Sequence, residues 1–304
     1  MSERLTSRAT PTTLVAEGRP IDGLLLVDKP AGVTSHDVVD AARRALRTRR
    51  VGHAGTLDPF ATGLLVLLIG HATRLLPHLS GEPKVYDATI QFGTETDTDD
   101  VTGTVTRSAP LPDEARVRAA LASLTGTFDQ IPPDYSAKQV EGRRAYHAAR
   151  RGDALALAAV PVTVHRWDIR GLSSERLEAT ITCAGGTYIR ALARDLGRMS
   201  DSAAHLSALR RTRSGPFTVA DAVSLAALRS GTAALRPAVD AVPHLPVVTL
   251  DANEASSVRH GRAIASVDAT ASASAALVGP AGELVAVAER CGTSWQPRVV
   301  IPDA

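Results

Sequence analysis

The sequence of 304 residues has few aromatic residues, few lysines, two cysteines and no long apolar run. Aromatics make up 3% of the chain, so the core must consist mainly of aliphatic residues and alanine. The longest apolar run, Leu64–Ile69, has six residues, whereas a helix needs about 20 to span a bilayer. Met1–Pro20 contains no continuous apolar segment and is not a secretory signal. These absences exclude a membrane-spanning protein and a signal-bearing secreted protein.

The two cysteines, Cys183 and Cys291, lie 108 positions apart. This separation fits neither a metal-ligand motif nor a disulfide framework. Such cysteine usage is typical of a reducing compartment. We therefore expect a cytoplasmic protein without a bound metal.

Charge is nearly balanced, with 34 basic and 32 acidic residues, but its distribution is uneven. All but three of the cations are arginines, and they concentrate in the segments Arg43–Arg50, Arg143–Arg151 and Arg190–Arg213. An acidic stretch, Glu95–Asp100, lies between these segments. Segregated basic patches indicate a polyanionic partner on one face. Solvated helix faces would give the same pattern.

Apolar periodicity predicts strands and helices without strict βαβ alternation. Thr34 and Asp37 form the capping box of a predicted helix. The predicted strands are Leu24–Val27, Leu64–Ile69, Val85–Phe92 and Leu177–Cys183, and the predicted helices are Ser35–Arg47, Ala72–Leu79, Pro112–Leu124 and a segment after Gly186. The pattern favours an α+β fold with a mixed or antiparallel central sheet flanked by helices.

The pattern changes after Pro243. From Pro246 onward it predicts a short strand, a small helix, a hairpin over Ala275–Ala288 and a strand at Val299–Ile301. We therefore predict a tail without regular structure at 1–20, a large domain at 21–243 and a small β-rich domain at 246–304.

The segment Gly52–Gly63, here called the Asp58 loop, contains the strongest candidate for chemistry. The proline after Asp58 forces that residue into an extended conformation. The flanking glycines permit a tight backbone path that would present one carboxylate at a strand edge. Taken in pieces, the same residues are also compatible with an ordinary Asp-Pro turn.

Taken whole, the Asp58 loop resembles the catalytic loop of the TruB family of bacterial tRNA pseudouridine-55 synthases, which reads G-H-x-G-x-L-D-P-x-A-T-G. Every fixed position of that pattern is matched. Further segments resemble motifs of the same family in the same order, namely Gly23–Ser35, Lys84–Tyr86 with Gly93 and Thr96–Thr98, Ile131–Ala137, Gly186–Gly197 and Leu209–Arg211. The resemblance covers about residues 21–220.

The resemblance implies that the chain isomerises uridine 55 in the TΨC loop of tRNA, with Asp58 as the nucleophile or base. It implies that Arg190 keeps this carboxylate ionised, that Tyr86 stacks on the flipped uracil and that its hydroxyl is a candidate proton shuttle. From periodicity alone, Tyr86 would be a core residue, and Arg190 alone would be a surface ion pair. The attacked or deprotonated atom stays open.

The resemblance also assigns residues around the substrate. Tyr188 and the backbone of Leu209 are expected to contact it. His53 is expected to fill the space that the flipped base vacates. Lys29 is either structural or a contact on the substrate side. Isomerisation involves no redox change and no group donor, so no cofactor is expected.

The basic clusters are then expected to bind tRNA phosphates in the T-arm. Ile131–Ala137 resemble the start of an insertion that clasps RNA, which is expected to span about residues 131–152. The C-terminal unit is expected to be a PUA-like RNA-binding domain. We predict a monomer with no obligate protein partner. The phosphate-binding candidates are Arg143, Arg144, Arg150, Arg151, Arg194, Arg198, Arg210 and Arg211.

Three alternatives remain open at this point. The chain could be a pseudouridine synthase for another RNA. It could also be a catalytically lapsed protein that binds or folds tRNA, although Asp58, Tyr86 and Arg190 are all intact. A carboxylate glycosidase would require two acids at the site, and the sequence singles out only Asp58.

Overall fold

The computed structural model describes residues 21–135, 139–140, 143–144, 157–266 and 272–302. The tail predicted at 1–20, Arg150 and Arg151 lie outside the described residues. Arg143 and Arg144 are described in their backbone only. The predicted insertion at 131–152 is therefore described only in part.

Strands dominate both parts of the chain. In chain order they are β1 (Gly23–Lys29), β2 (Val51–His53), β3 (Thr62–Ile69), β4 (Lys84–Phe92), β5 (Thr94–Thr96), β6 (Val105–Ser108), β7 (Gly126–Gln130), β8 (Gln139–Val140), β9 (Arg143–Arg144), β10 (Val160–Leu172), β11 (Arg176–Cys183), β12 (Ala204–Ser214), β13 (Phe217–Thr218), β14 (Val223–Ser224), β15 (Val247–Thr249), β16 (Ile264–Ala265), β17 (Ser274–Val278), β18 (Leu284–Cys291) and β19 (Ser294–Val300).

Helices connect and cover these strands. The α-helices are α1 (Ser35–Ala45), α2 (Glu114–Ser123), α3 (Ile189–Met199), α4 (Leu225–Arg229) and α5 (Ala252–Arg259), and 3-10 turns cover Gly70–His78, Val219–Asp221 and Ala238–Ala241. The predicted capping box of α1 is present, since the Thr34 hydroxyl accepts from the Asp37 N–H and the Asp37 carboxylate accepts from the Thr34 N–H.

A ten-stranded sheet forms the centre of the larger unit, in the order β14-β1-β3-β12-β4-β11-β10-β7, with β2 on β3 and β13 on β12. β12 runs parallel to β3 and antiparallel to β4. The predicted mixed sheet is therefore confirmed. Its strand order places the Asp58 loop, which leads into β3, beside β12 and β4.

β12 joins the two halves of the sheet and fixes the end of the Asp58 loop. Gly63 lies opposite Arg211 in the register of β3 and β12. Its φ is +102°, and a Cβ there would lie 2.2 Å from the Arg211 carbonyl oxygen. Glycine is required because any side chain would push the two strands apart.

α3 packs its apolar face onto one side of the sheet. Leu192 and Leu196 are fully buried in a core shared with β4, β11 and α2. Each buried leucine stabilises the fold by about 1.5–3 kcal/mol. Gly197 permits the close approach, since a Cβ there would lie 2.4 Å from the Ala204 nitrogen on β12. This packing fixes the direction of the helix and of the polar residues at its start.

Several boundaries differ from the sequence prediction. α1 ends at Ala45, and Arg47 beyond it has a φ of 50°. The helix predicted at Ala72–Leu79 is a 3-10 turn that contains Pro77, and proline removes a helical hydrogen bond. The long strand β10 and the central strand β12 were not predicted, since neither shows a clean apolar alternation.

The C-terminal part is β-rich, as predicted. It forms a five-stranded sheet in the order β15-β17-β18-β19-β16, with Trp295 fully buried in its core. Its other face is not independent of the large sheet. Leu284 and Ile301 share one apolar cluster with Leu64 of β3, and the Arg74 guanidinium donates to the Val300 carbonyl at 3.1 Å. Among the described residues, no helix has the length and apolar character needed to cross a membrane.

Candidate active site

A cavity of about 230 Å³ opens between the Asp58 loop, β4, β12 and the start of α3. It brings together five of the predicted residues from distant parts of the chain, namely Asp58, Tyr86, Tyr188, Arg190 and Leu209. The remaining lining residues are Gly55, Thr56, Leu57, Lys84, Tyr135, Gly186, Thr187 and Ile189. Sequence motifs up to 150 positions apart therefore converge on one site.

Asp58 and Arg190 form a two-point ion pair at this cavity. Arg190 Nε donates to Asp58 Oδ2 at 2.9 Å, and Nη2 donates to Oδ1 at 3.2 Å. The Arg190 side chain is 6% exposed, whereas that of Asp58 is 34% exposed. A buried guanidinium thus holds a carboxylate that stays open to the cavity, and charge-assisted pairs of this geometry are strong.

Arg190 is itself fixed by further partners. Nη1 donates to the Thr98 carbonyl and Nη2 donates to the Tyr135 carbonyl, both at 2.8 Å. The Asp100 carboxylate lies 3.7 Å from Nε. The loop after β5 and the start of the predicted insertion are therefore tied to the same guanidinium.

Residues of the N-terminal motif hold the Asp58 loop by hydrogen bonds to its backbone. The Lys29 ammonium donates to the carbonyls of Pro30, Val33 and Pro59 at 3.1, 2.8 and 3.3 Å. Ser35 Oγ accepts from the Leu57 N–H at 2.9 Å and donates to its carbonyl at 3.1 Å. Lys29 is fully buried and does not line the cavity. Of its two expected roles, the structure places it in the structural one.

Burial shifts the acid–base behaviour of Lys29. It lowers the pKa of the ammonium to about 8, opposed by the Asp58 carboxylate. The three ammonium protons match three carbonyl acceptors, which satisfies the buried group.

Tyr86 lies on the apolar face of β4, is 7% exposed and stands opposite Arg211 in the register of β4 and β12. Burial raises its pKa above the ordinary value, so the phenol keeps its proton near neutral pH. The residue belongs both to the core and to the cavity wall.

Tyr188 is held through its backbone by Gln130 at the end of β7. Gln130 Oε1 accepts from the Tyr188 N–H at 2.9 Å, and Nε2 donates to the Tyr188 carbonyl at 3.1 Å. Gln130 is fully buried. Tyr188 occupies the N-cap position of α3 without a side-chain cap, and Gln130 fixes the backbone of this N-cap residue.

Leu209 and His53 occupy different surroundings. Leu209 lines the cavity, and its carbonyl accepts from Thr62 Oγ1 at 3.4 Å. His53 lies at the end of β2, outside the lining residues. Its Nδ1 is buried without a hydrogen-bond partner among the described residues. Burial, Arg211 and His36 lower the pKa of its ring.

Two of the predicted phosphate-binding arginines lie in the interior. Arg211 is fully buried and donates to the carbonyls of Leu64, Thr56 and Gly55 at 2.8, 3.3 and 3.0 Å. Arg194 is 8% exposed and pairs with Asp99 at 3.0 Å. Neither guanidinium is available to a phosphate on the surface, so both leave the set of candidates.

Arg198 and Arg210 remain at the surface but are already paired. Arg198 meets Glu95 at 2.8 Å, and Arg210 meets Asp28 at 2.7 Å. The acidic stretch Glu95–Asp100 therefore lies against α3 and neutralises its arginines. The sequence shows both the acidic stretch and the arginines. Their pairing depends on the turn after β5, and no pattern in the sequence indicated it.

Sequence reasoning missed Gln130 and Lys84 and gave Arg211 a different role. Gln130 holds the backbone of Tyr188, and Lys84 lines the cavity directly. Arg211 holds the Asp58 loop through the carbonyls of Gly55 and Thr56. Lys84 stands two positions before Tyr86 in the same motif, so that spacing on one strand face was the available signal. Within the described part of the chain, no group of three or more His, Cys, Asp or Glu side chains could hold a metal ion.

Comparison with protein families assigns almost the whole chain. Residues 43–189 match the model of the TruB family pseudouridylate synthase N-terminal domain. Residues 190–242 match the tRNA pseudouridylate synthase B C-terminal domain, and residues 245–302 match the C-terminal domain of tRNA pseudouridine synthase II.

Curated relatives and solved structures are similar over the same length. A tRNA pseudouridine synthase B from Thermobifida fusca (strain YX) is 46% identical over 289 residues, which cover 92% of this chain and 98% of the relative. One from Arthrobacter sp. (strain FB24) is 45% identical over 295 residues, with 92% and 96% coverage.

Among solved structures, a chain of an H/ACA RNP bound to a substrate RNA containing 2'-deoxyuridine aligns with a TM-score of 0.68 and 23% identity, covering 92% of this chain and 85% of that one. A chain of a Cbf5-Nop10-Gar1 complex aligns with a TM-score of 0.66 and 24% identity, again with 92% and 85% coverage. Both support the fold.

Proposed function

The chain belongs to the TruB family of pseudouridylate synthases, and we propose that it isomerises uridine 55 in the TΨC loop of tRNA to pseudouridine. Its relatives in Thermobifida fusca and Arthrobacter carry the name tRNA pseudouridine synthase B. The proposal adds the position of the uridine, the flipping of the base and the residues that act on it.

The carboxylate of Asp58 supports this proposal most directly. It is the one carboxylate among the residues that line the described cavity, and Arg190 presents it with both oxygens fixed. Pseudouridine formation breaks the C1′–N1 bond, turns the base and joins C5 to C1′. A positioned carboxylate can serve such a reaction as nucleophile or as base. A glycosidase with two acids fits this cavity less well.

The target base has to leave its stack before Asp58 can reach it. A flipped nucleotide is held by stacking on an aromatic ring and by polar contacts to its edge. Tyr86 supplies a ring on the cavity wall, while Tyr188 and the Leu209 backbone lie beside it. His53, outside the cavity and neutral near pH 7, is placed by this proposal in the stack that the base leaves.

The reaction as written consumes no donor and transfers no electrons. Each step can therefore be carried by side chains alone, with Tyr86 as the proton relay. As a relay, the Tyr86 hydroxyl would give its proton to N1 and accept the one that C5 loses during rearomatisation, and its raised pKa keeps it protonated beforehand.

Binding of the T-arm is assigned to basic side chains outside the cavity. Arg143, Arg144, Arg150 and Arg151 stay the leading phosphate-binding candidates, and the β-rich PUA-like unit provides a second RNA surface. Arg198 and Arg210 are each paired with a carboxylate. A phosphate would therefore have to contact either guanidinium beside the carboxylate that already binds it. We place the enzyme in the cytoplasm, where it acts as a monomer on tRNA.

Pseudouridine mapping tests the assignment. The purified chain is incubated with a tRNA transcript that lacks modifications, and with a matched transcript carrying cytidine at position 55. Pseudouridine at position 55 of the first transcript alone is the expected result. Product at another uridine would indicate a different target, and binding without any product would indicate a lapsed RNA-binding protein. Mapping tRNA from cells lacking the protein extends the test to the natural substrates.

A further inference from the structure

Lys84 at the start of β4 lines the cavity without a protein partner. Among the described residues, nothing accepts a hydrogen bond from its ammonium or lies within ion-pair distance of it. Burial and the nearby Arg211 guanidinium lower the pKa of the ammonium. Holding a cation without a partner in a cavity partly shielded from water destabilises the protein, unless a bound ligand supplies a hydrogen-bond acceptor.

The other cations of the site are already committed. Arg190 is used by Asp58, Thr98 and Tyr135. Lys29 donates its three protons to backbone carbonyls, and Arg211 does the same with its guanidinium. Among the described cations of the site, Lys84 is therefore the one whose hydrogen-bond donors remain available to a substrate.

The position of Lys84 defines an electropositive end of the cavity. A Cβ built on Gly55 would lie 3.2 Å from Lys84 Nζ and 3.4 Å from Arg211 Nη1, so the two cations converge on one point. Lys84 and Tyr86 share one face of β4, with Cα atoms about 6.6 Å apart from the strand rise. Asp58 and Arg190 form the ion pair of the same lining, which also includes the Tyr86 ring.

A uridine whose sugar meets Asp58 presents the opposite edge of its ring to this electropositive end. In uracil the atom opposite the glycosidic N1 is C4, which carries O4. Either route open to the enzyme places negative charge there. Addition at C6 sends an electron pair through C5 to O4, and heterolysis of the C1′–N1 bond leaves the bonding pair on the base, shared among N1, O2 and O4. The charge is neutralised when C5 bonds to C1′. The proton that C5 then loses is balanced by one gained at N1, and in the addition route the bond between Asp58 and C6 also breaks.

We propose that Lys84 is a further substrate-contacting residue, whose Nζ donates a hydrogen bond to O4 of the flipped uracil and stabilises the negative charge that develops there. This inference rests on the proposed function. It also gives the cavity a means of choosing uracil, because cytosine carries an amino group at that position and would set donor against donor.

Substitution of Lys84 by Met and by Arg tests the role of the charge. Lys84→Met keeps the length of the side chain and removes the donor. We expect its single-turnover rate to fall by about 10²–10³-fold, as for the loss of one donor to a developing oxyanion. The Kd for tRNA should change by less than about threefold. Lys84→Arg should recover part of the rate. Arg229→Met, on the exposed side of α4, is the matched control and should keep the wild-type rate.

A substrate carrying 4-thiouridine at the target position separates a contact to O4 from a structural role. Sulfur is a weaker acceptor, so the wild-type enzyme should slow on it, while Lys84→Met should convert both substrates at the same reduced rate. A 2-thiouridine substrate is the matched control and should slow both enzymes equally. If the rate losses caused by Lys84→Met and by 4-thiouridine are fully additive, the proposal is contradicted. It is also contradicted if the losses caused by Lys84→Met and by a methylphosphonate 5′ to the target are not additive, because Lys84 would then contact that phosphate. If the wild-type enzyme makes no product on unmodified tRNA, the proposed function itself fails.

Discussion

Gln130 and Tyr188 form a closed pair in which one side-chain amide satisfies both the N–H and the C=O of one backbone residue. Gln130 ends β7, and Tyr188 begins α3 two positions before Arg190. The pair therefore links the base of the predicted insertion to the guanidinium that holds Asp58.

Replacing Gln130 by Met should weaken both stability and catalysis. The variant leaves the partly buried Tyr188 N–H without its partner, whereas the carbonyl still accepts from the Leu192 N–H, and the loss costs about 1–3 kcal/mol. We expect loss of this contact to let the start of α3 shift, and with it Arg190 and Asp58. Single turnover should then slow by roughly 10–100-fold, because small misplacements of reacting groups raise the activation barrier. Urea unfolding and single-turnover assays measure the two effects. Gln91→Met, whose amide makes one exposed contact to the Glu175 carbonyl, is the control. A wild-type rate in Gln130→Met would show that the pair has no part in positioning.

Replacing Asp58 by Asn should abolish pseudouridine formation. The amide keeps the shape and one acceptor for Arg190 but lacks the charge that the reaction needs. Binding of tRNA should stay within a few-fold of wild type, as measured by filter retention. Asp87→Asn, on the opposite face of β4 beside Thr180, removes a carboxylate outside the cavity and should stay active. Wild-type-like product from Asp58→Asn would remove this residue from the chemistry.

Two substitutions of Tyr86 distinguish its ring from its hydroxyl. Tyr86→Ala removes the stacking surface and the proton relay, so activity should nearly vanish. Tyr86→Phe keeps the ring, and its rate should fall by about 10²–10⁴-fold if the hydroxyl relays a proton, with tRNA binding unchanged. Single-turnover assays should show the Phe variant stalling at an intermediate. Full activity in Tyr86→Phe would leave stacking alone, and full activity in Tyr86→Ala would place the residue outside the active site.

Simultaneous replacement of Arg143, Arg144, Arg150 and Arg151 by Ala should weaken tRNA binding and flatten its salt dependence. Each lost phosphate contact should reduce the slope of log K against log salt by roughly 0.7–0.9. Arg229→Ala on the exposed side of α4 serves as control. An unchanged slope in the quadruple variant would identify this cluster as a solvated face.

Asp99 should make stability depend on pH in the acidic range. Burial raises its pKa from 3.8 to about 6, against the opposing charge of Arg194. Because the folded state holds the proton more tightly, this contribution is complete below about pH 4 and is lost as the pH rises through about 6. The unfolding free energy of wild type should therefore fall by about 2 kcal/mol relative to that of Asp99→Asn from pH 4 to pH 7. Urea unfolding across that range measures it, and a constant difference would contradict the assigned pKa.

The sequence predicted the elements whose side chains repeat with a clear period. β4 alternates between core and solvent, and α1 carries its capping box, so both were found close to their observed bounds. β12 was missed because its buried face includes Arg211, an interior cation that reads as a surface residue. Burial of that arginine depends on the carbonyls of Gly55, Thr56 and Leu64, which only the folded chain brings together.

The sequence predicted the site residues that belong to recognisable motifs. It did not predict those whose role depends on a contact formed only in the folded chain. The cavity gathers Asp58, Tyr86 and Arg190 from three separate motifs. The partners of the arginines on α3 were not anticipated, since an acidic turn nearly 100 positions earlier neutralises them. Charge clusters in a sequence do not reveal which of them face each other, and this is why the burial of Arg194 against Asp99 was not predicted.

The apolar cluster shared by β3 and the C-terminal sheet bears on how the chain folds during synthesis. Leu64 and Leu68 on β3 are covered in part by Leu284 and Ile301. A ribosome makes the chain from its N-terminus, so the part of this face that Leu284 and Ile301 cover stays exposed until residue 301 has left the exit tunnel. The nascent chain therefore carries an exposed apolar patch late into translation, and such patches are what chaperones bind. The five-stranded sheet, made last, covers this patch on the ten-stranded sheet that carries the cavity.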